Sequence, residues 1–228
     1  MRSVAELRGI MESPLLQRKF VEGDNAANPW ALPEAALDFL VEVAQELKVA
    51  SIFEFGSGQS TAAFLKAGFQ VTSLEHADTW MEQTRNHLTE EEKSRHTPLI
   101  RPLKPRMHGL FPVMDWVIDA DLEARLKNAD LILVDAPNYC PFRESTLCAA
   151  LNYSAGALVV LDDIRIPTVG HFCDNLLNLN PDLLHQRIRV GHVFDLFART
   201  KTDCVRVRHG LLDVAKGWRR FFVGRIGF

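Results

Sequence analysis

The chain has 228 residues, of which 47% are hydrophobic and 24% charged, and its formal net charge is -3. This length favours one α/β domain with terminal additions, and the ordinary composition excludes a disordered or fibrous protein. No apolar stretch approaches the roughly 18 residues that a membrane-spanning helix needs, and the charged opening is unlike a signal peptide. The four cysteines lack CxxC spacing, so we expect no zinc cluster and a reducing, cytoplasmic location.

The first predicted element is a helix that begins near Pro33 and packs ahead of the first strand. Five apolar, β-branched segments follow, namely VASIFEF, FQVTSLE, TPLIRPL, ADLILVDA and GALVVLDD. Segments with apolar residues at helical spacing alternate with them, which is typical of a mainly parallel sheet. Residues 101–116, RPLKPRMHGLFPVMDW, are predicted to be an irregular lid or binding loop, with Trp116 either lining an apolar pocket or packing in the core.

The pattern changes after the fifth strand. HFCDNLLNLN predicts a helix, and LLHQRIRV and HVFDLFART predict two strands hinged at Gly191. Such a hairpin implies an antiparallel strand at the sheet edge. We therefore divide the chain into an N-terminal helical segment (1–48), a central domain (49–200) and a C-terminal extension (201–228).

A strand runs directly into the glycines of FEFGSG, and a helical pattern follows. Gly56 and Gly58 allow the main chain to turn sharply and to approach a ligand without interference from a Cβ atom. Thr61 stands where a third glycine would complete GxGxxG, so a plain strand-to-helix turn is the alternative.

Glu75 closes the second strand, 17 residues after Gly58. An acid in this position can accept both hydroxyl protons of a ribose. The alternative is a solvated carboxylate at a strand end. The glycine loop and this acid together predict an adenosine-containing ligand.

Four motifs in order, FEFGSGQST, VTSLEH, DLILVDAP and ALVVLDDI, resemble those of the class I S-adenosylmethionine-dependent methyltransferases. The resemblance covers residues 28–200. It implies a Rossmann-like, three-layer α/β/α fold with a seven-stranded, mostly parallel sheet and an antiparallel last strand, in agreement with the hairpin inferred above.

The resemblance also implies roles for individual residues around S-adenosylmethionine. The loop residues that would surround its amino-acid and ribose parts are Glu54, Gly56, Ser57 and Gly58. Glu75 would hold the ribose hydroxyls, and His76 would lie beside the adenosine or be only a loop residue. Ser60 and Thr61 replace the third glycine, and a hydroxyl there would contact the carboxylate of the cofactor.

Asp135, Asp162 and Asp163 close strands four and five, at the edge where open parallel sheets bind ligands. They are the predicted catalytic residues, because methyl transfer to a hydroxyl requires an aligned acceptor and removal of its proton. Clustered carboxylates also attract a hard cation such as Mg²⁺. The arrangement resembles the catechol O-methyltransferase type, although an Asp-Asp pair replaces its Asp-Asn pair. Without metal, Asp135 would orient the acceptor or the cofactor, and Asp162 or Asp163 would cap the following turn or bind Arg165. Asp135 or a histidine would then be the base.

Residues 136–145, APNYCPFRES, are a candidate wall of the acceptor site. Tyr139 and Arg143 are the predicted substrate-binding residues, with Tyr139 also in the apolar pocket and Arg143 pairing a carboxylate or phosphate. Alternatively, Arg143 forms an outward salt bridge from the first turn of a helix. His108 and His171 are candidate bases in loops near the cleft, or else surface residues.

Residues 201–228 hold seven Lys or Arg against two Asp, a net charge of +5, whereas the remainder holds nineteen against twenty-seven, a net charge of -8. This basic and aromatic tail can bind anionic lipid or nucleic acid, or dock onto the acidic body or a second subunit. The acidic body opposes strong binding of nucleic acid. We therefore expect no nucleic-acid partner and favour docking, with a homodimer as one form of it.

The sequence thus predicts transfer of a methyl group from S-adenosylmethionine to a small molecule, with a hydroxyl oxygen preferred because the acids suit it. A nicotinamide-dependent dehydrogenase or epimerase would share the glycine turn, but neither Tyr139 nor Tyr153 has a lysine four residues on. A catalytically inactive, cofactor-binding scaffold is the third interpretation. A scaffold would tolerate the loss of Asp135.

Overall fold

The computed structural model describes most of the chain. The described residues are 2–14, 16, 32–137, 143–154, 156–162, 164, 167–190, 192–199 and 204–226. Two predicted site residues, Tyr139 and Asp163, lie outside them.

Seven of the nine strands in the described residues form one sheet. In chain order the strands are β1 (Ser51–Phe55), β2 (Gln70–Glu75), β3 (His96–Ile100), β4 (Lys104–His108), β5 (Phe111–Asp115), β6 (Leu131–Val134), β7 (Leu158–Leu161), β8 (Leu184–Arg189) and β9 (Val193–Ala198). The spatial order is β3-β2-β1-β6-β7-β9-β8, and β9 runs antiparallel to both of its neighbours. The predicted mostly parallel sheet with a reversed last strand is confirmed.

Helices cover both faces of this sheet. Within the described residues they are α1 (Val4–Met11), α2 (Glu34–Glu46), α3 (Gln59–Lys66), α4 (Asp78–Asn86), α5 (Glu90–Arg95), α6 (Ala120–Asn128), α7 (Glu144–Tyr153), α8 (Pro167–Leu179) and α9 (Leu211–Ile226). One core contains Phe39 and Phe64 of α2 and α3, and the other contains Leu122 and Leu147 of α6 and α7. These two cores make the fold the predicted three-layer α/β/α structure. No helix in the described residues has both the length and the apolarity to cross a bilayer.

The strand register aligns the carboxyl ends of four strands. Phe55 of β1 pairs with Leu74 of β2 and Val134 of β6, and Val134 pairs with Leu161 of β7. The residues that follow these four are Gly56, Glu75, Asp135 and Asp162. Because β6 and β7 are wholly apolar and buried, their polar successors are the first groups that can reach solvent or a ligand at this edge.

Residues 101–116 are not the irregular loop that the sequence predicted, because they contain the antiparallel hairpin β4–β5. A two-stranded hairpin tolerates proline, since each strand has an unpaired edge. Trp116 is fully buried, packs against Phe55 at 5.6 Å between ring centroids, and donates its Nε1–H to the carbonyl of Arg101 at 2.9 Å. Of the two places predicted for Trp116, the core is therefore confirmed and the pocket is wrong.

The C-terminal residues 204–226 pack on this hairpin. Trp218 of α9 donates its Nε1–H to the carbonyl of Leu110 at 3.0 Å. A Cβ atom on Gly217 would lie 2.7 Å from the Phe111 ring, so the helix approaches the hairpin closely. The extension thus docks onto its own chain, one of the predicted alternatives, and a subunit contact through it stays a prediction.

Candidate functional site

The loop after β1 adopts backbone conformations that favour glycine. Gly56 has a φ of +108° and Gly58 a φ of +154°. A Cβ atom on Gly56 would lie 3.2 Å from the Cβ atom of Ala136, just beyond β6. Gly58 directly precedes α3 and donates its N–H to Oγ1 of Thr61 at 2.9 Å. The loop therefore presents bare main chain at the aligned strand ends.

Glu54 supports this loop from inside the protein. Its side chain is buried, and it accepts hydrogen bonds from the hydroxyls of Ser60 at 2.9 Å and Ser73 at 2.8 Å, and from that of Thr61. Burial raises the pKa of the Glu54 carboxyl to about 7, although all three hydroxyls oppose the rise. Ser60 and Thr61 thus connect the first turn of α3 to β1.

A buried histidine extends this network. Oγ of Ser73 lies 3.0 Å from Nε2 of His96 at the start of β3. Burial, with a smaller contribution from the charge of Arg85, lowers the pKa of His96 to about 4, so the ring is neutral at pH 7. Sequence analysis missed both residues, because a serine and a histidine on separate strands produce no spacing signal.

Glu75 ends β2 with a buried but ionised carboxylate. Burial opposes ionisation, yet the His76 side chain and the N–H groups of His76 and Ala77 outweigh it and lower the pKa of Glu75. Oε1 accepts the N–H of His76 at 2.7 Å and that of Ala77 at 3.3 Å, and Oε2 lies 3.4 Å from Oγ of Ser57. The main chain therefore fixes the orientation of a negative charge beside the glycine loop.

A cavity of about 380 Å³ opens beside the glycine loop. Its walls come from residues 57–60, from α4 and from Asp135. Trp80 of α4 forms part of the wall, is 48% exposed, and donates its Nε1–H to the carbonyl of Ser57 at 2.6 Å. Sequence analysis missed Trp80, because its segment carried only a helical pattern.

Asp135 contributes to the cavity and is paired with Arg143. The Arg143 guanidinium is buried and donates to Oδ1 of Asp135 at 3.0 Å. Arg143 has a left-handed φ of +49° directly before α7. The alternative of an outward salt bridge is wrong, because the side chain turns inward to the end of β6. Binding of an acceptor by Arg143 stays a prediction.

Asp162 is paired with a histidine that sequence analysis missed. Its Oδ1 lies 2.5 Å from Nε2 of His192, whose side chain is 21% exposed. His192 directly precedes β9, and β8 runs parallel to β7, so the β8–β9 turn returns to the edge where β7 ends. Asp163 lies outside the described residues, so the three-acid cluster and its Mg²⁺ remain predictions.

The two histidines proposed as loop bases lie in regular secondary structure instead. His108 is the last residue of β4, and its Nε2 lies 2.8 Å from Oε1 of Glu144. His171 lies in α8, more than half exposed, with its Nε2 3.3 Å from Asn175. The predicted loop positions are therefore wrong for both.

Comparison with known proteins gave matches among solved structures only, since no family model and no curated protein matches the chain. A methyltransferase from Geobacter sulfurreducens has a TM-score of 0.56 at 14% identity, over 75% of this chain and 81% of that one. An O-methyltransferase from Bacillus cereus in complex with SAH has a TM-score of 0.52 at 16% identity, over 75% and 83%. The SAH-bound Podospora anserina methyltransferase PaMTH1 has a TM-score of 0.51 at 14% identity, over 88% and 98%.

The chain has the class I S-adenosylmethionine-dependent methyltransferase fold. The resemblance inferred from the four sequence motifs is thus confirmed for the fold. In a class I methyltransferase fold, as in other open parallel sheets, ligands lie beyond the carboxyl ends of the strands. The glycine loop, Glu75, Asp135 and the Asp162–His192 pair all belong to that edge.

Proposed function

We propose that the chain is a methyltransferase that moves a methyl group from S-adenosylmethionine to a hydroxyl oxygen of a small molecule. The observation that carries the proposal is the bare glycine loop beside the ionised Glu75 at one sheet edge. A ligand with both a ribose and a compact charged end matches this pair, because the carboxylate accepts hydroxyl protons and the bare main chain admits the ligand closely.

The residues at this edge suit S-adenosylmethionine chemically. Oε1 of Glu75 is occupied by main-chain donors, whereas Oε2 lies near only the flexible Ser57 hydroxyl among the described contacts and can accept from a ribose. The Trp80 ring offers an aromatic surface on which an adenine can stack. S-adenosylmethionine would supply an electrophilic methyl group, and the chain must orient it and the acceptor.

Glu54, Ser60 and Thr61 have a supporting role in this proposal. The Glu54 carboxylate is turned inward and bound by hydroxyls, so it organises the loop and does not reach the ligand itself. Ser60 differs from the other two because it also lines the cavity. We infer that this network sets the position of Gly58 for ligand binding.

His192 is the proposed general base. Its Nε2 faces the Asp162 carboxylate, so an Nε2–H that donates a hydrogen bond to Asp162 leaves the Nδ1 lone pair to accept the proton of an acceptor hydroxyl. Asp135 suits positioning better than proton transfer, because the Arg143 guanidinium already offsets its charge. Since Arg143 and His192 pair with two of the three acids, the proposal does not include Mg²⁺ at that cluster.

Calorimetric titration with S-adenosylmethionine, S-adenosylhomocysteine and NAD tests the cofactor assignment. We expect both adenosyl compounds to bind and NAD not to bind. Glu75→Gln should weaken their binding about 10- to 100-fold, since it removes hydrogen bonds to a charged acceptor. Glu82→Gln, a change at an exposed acid of α4, should leave affinity unchanged. Preferential binding of NAD, or no binding of any of the three, would overturn the proposal.

The acceptor class needs a separate experiment. S-adenosylmethionine with a labelled methyl group should be incubated with the protein and panels of phenols, polyols and primary amines. Label transferred to a hydroxyl compound supports O-methylation. Transfer only to amines contradicts it while leaving the methyltransferase assignment intact.

A further inference from the structure

Three metal-ligating side chains converge at a second place, away from the residues assigned to the cofactor. His108 ends β4, Glu144 begins α7, and His209 lies in the segment before α9. Oε1 of Glu144 lies 2.8 Å from Nε2 of His108 and 3.1 Å from Nε2 of His209. One ligand atom from each residue lies within 4.8 Å of the other two.

The Glu144 carboxylate at the centre of this cluster is buried with only part of its hydrogen-bonding capacity used. Glu144 is fully buried, and within the part of the chain that the structure describes its second oxygen, Oε2, has no hydrogen-bond partner. A buried carboxylate oxygen without a partner destabilises the folded state, because it has lost its hydration and no hydrogen bond replaces it. A cation beside this group would offset the cost.

The main chain around the cluster leaves room for the histidine from the extension. Gly109 has a φ of +58°, and a Cβ atom there would lie 2.8 Å from Cδ2 of His209. The Phe111 ring packs against His209 at 4.6 Å between ring centroids, and the Phe172 ring lies at 6.4 Å. The cluster therefore packs against aromatic side chains, unlike charged groups that happen to lie close together on the protein surface.

We propose that His108, Glu144 and His209 bind a divalent transition-metal ion, for which Zn²⁺ is the best match. Two imidazoles and one carboxylate are a zinc donor set, whereas Mg²⁺ and Ca²⁺ prefer oxygen ligands alone. Donors about 2.0–2.2 Å from a tetrahedral zinc ion lie about 3.3 Å apart. The two observed separations of 2.8 and 3.1 Å need only a small expansion.

The bound ion would act as a clamp between distant parts of the chain. His108 belongs to the β4–β5 hairpin, Glu144 to α7 and His209 to the C-terminal extension. Because the unfolded chain does not hold these three ligands together, ion binding would stabilise the folded state. Glu144 also follows Arg143 directly, so the clamp would hold the start of α7 next to the Arg143–Asp135 pair.

The test uses the full-length protein, freed of metal by dialysis against a chelator and titrated with Zn²⁺ and with Co²⁺. We expect one tightly bound ion per chain, a higher unfolding temperature with Zn²⁺, and visible Co²⁺ absorption bands of a low-coordinate site. Absence of Zn²⁺ and Co²⁺ binding by the unaltered protein overturns the proposal, whatever the variants do.

Variants locate the ion. His108→Gln and His209→Gln should each weaken Zn²⁺ binding about 100-fold or more, with circular dichroism used to verify folding. Two controls, His171→Gln at a histidine of α8 that is more than half exposed and Asp135→Asn at the other candidate metal position, should bind Zn²⁺ as the unaltered protein does. Unchanged binding in the folded His108→Gln/His209→Gln double variant, or binding lost in Asp135→Asn, would contradict the assignment.

Discussion

The imidazole of His192 is held by the carboxylate of Asp162, with 2.5 Å between Nε2 and Oδ1. If His192 removes the acceptor proton, His192→Gln should reduce the rate of methyl transfer to a hydroxyl about 10²- to 10⁴-fold. Affinity for S-adenosylhomocysteine should be unchanged, since His192 is not among the residues proposed to hold the cofactor. Single-turnover kinetics and calorimetry separate these two effects.

The partner carboxylate provides a second measurement on the same pair. Asp162→Asn should also slow transfer, because an amide can no longer fix the tautomer of the ring. Wild-type rates in His192→Gln would show that another group is the base.

Glu54 predicts how stability changes with pH. In the folded protein burial raises the pKa of Glu54 to about 7, whereas 4.5 is its ordinary value. The folded state therefore binds this proton more tightly than the unfolded state does. The stabilisation that the bound proton contributes to the free energy of unfolding is complete below pH 4.5 and is lost as the pH rises to 7. The loss amounts to about 3 kcal/mol.

Urea unfolding of the wild type and Glu54→Gln at pH 5 and pH 7.5 measures this effect. The wild type should lose more free energy of unfolding between these pH values than the variant does. Equal losses in the two proteins would show that Glu54 titrates normally.

Gly56 should not tolerate a side chain. Gly56→Ala combines a positive φ with a Cβ contact of 3.2 Å to Ala136, and should cost about 1–3 kcal/mol of stability. Its S-adenosylmethionine affinity should also fall, because the loop must move. Gly9→Ala is the matched control, since a Cβ atom in this α1 position has no neighbour within 4 Å and should stabilise by about 0.5–1 kcal/mol. Chemical denaturation and calorimetry of both variants distinguish a local requirement at Gly56 from a general effect of alanine.

Trp80 should report ligand binding by fluorescence. It lines the cavity and is half exposed, so an adenosyl ligand should change its emission. Trp80→Phe should abolish most of this change and weaken binding, because the hydrogen bond to Ser57 is lost. Trp218→Phe, at a second partly exposed indole, should retain it. A signal that persists in Trp80→Phe would assign the ligand to another part of the molecule.

The strands and the glycine loop could be predicted because their signals are local. The apolar runs before Gly56, Asp135 and Asp162 mark strands whose ends must share one edge in a parallel sheet. No helix was predicted at α5, because it buries no residue and so lacks apolar periodicity. Its Thr89–Glu92 capping box was the available signal.

The features of the site that sequence analysis missed or placed wrongly depend on tertiary structure. His192 reaches Asp162 only because β9 inserts between β7 and β8, and no sequence spacing encodes that order. Arg143 itself adopts a left-handed backbone conformation, and its side chain turns toward Asp135. Residue propensity alone would not predict this conformation for an arginine. The same holds for Trp116, whose burial follows from the hairpin that replaced the expected irregular loop.

The place of β9 in the sheet has a consequence for biosynthesis. This strand is synthesised after β8 yet lies between β8 and β7 in the sheet, so a nascent chain that ends before residue 193 leaves one edge of the Leu158–Leu161 strand unpaired. Such an apolar, open edge is a site for wrong pairing with other chains. Ribosome-bound intermediates stalled before and after β9 should therefore differ sharply in chaperone occupancy.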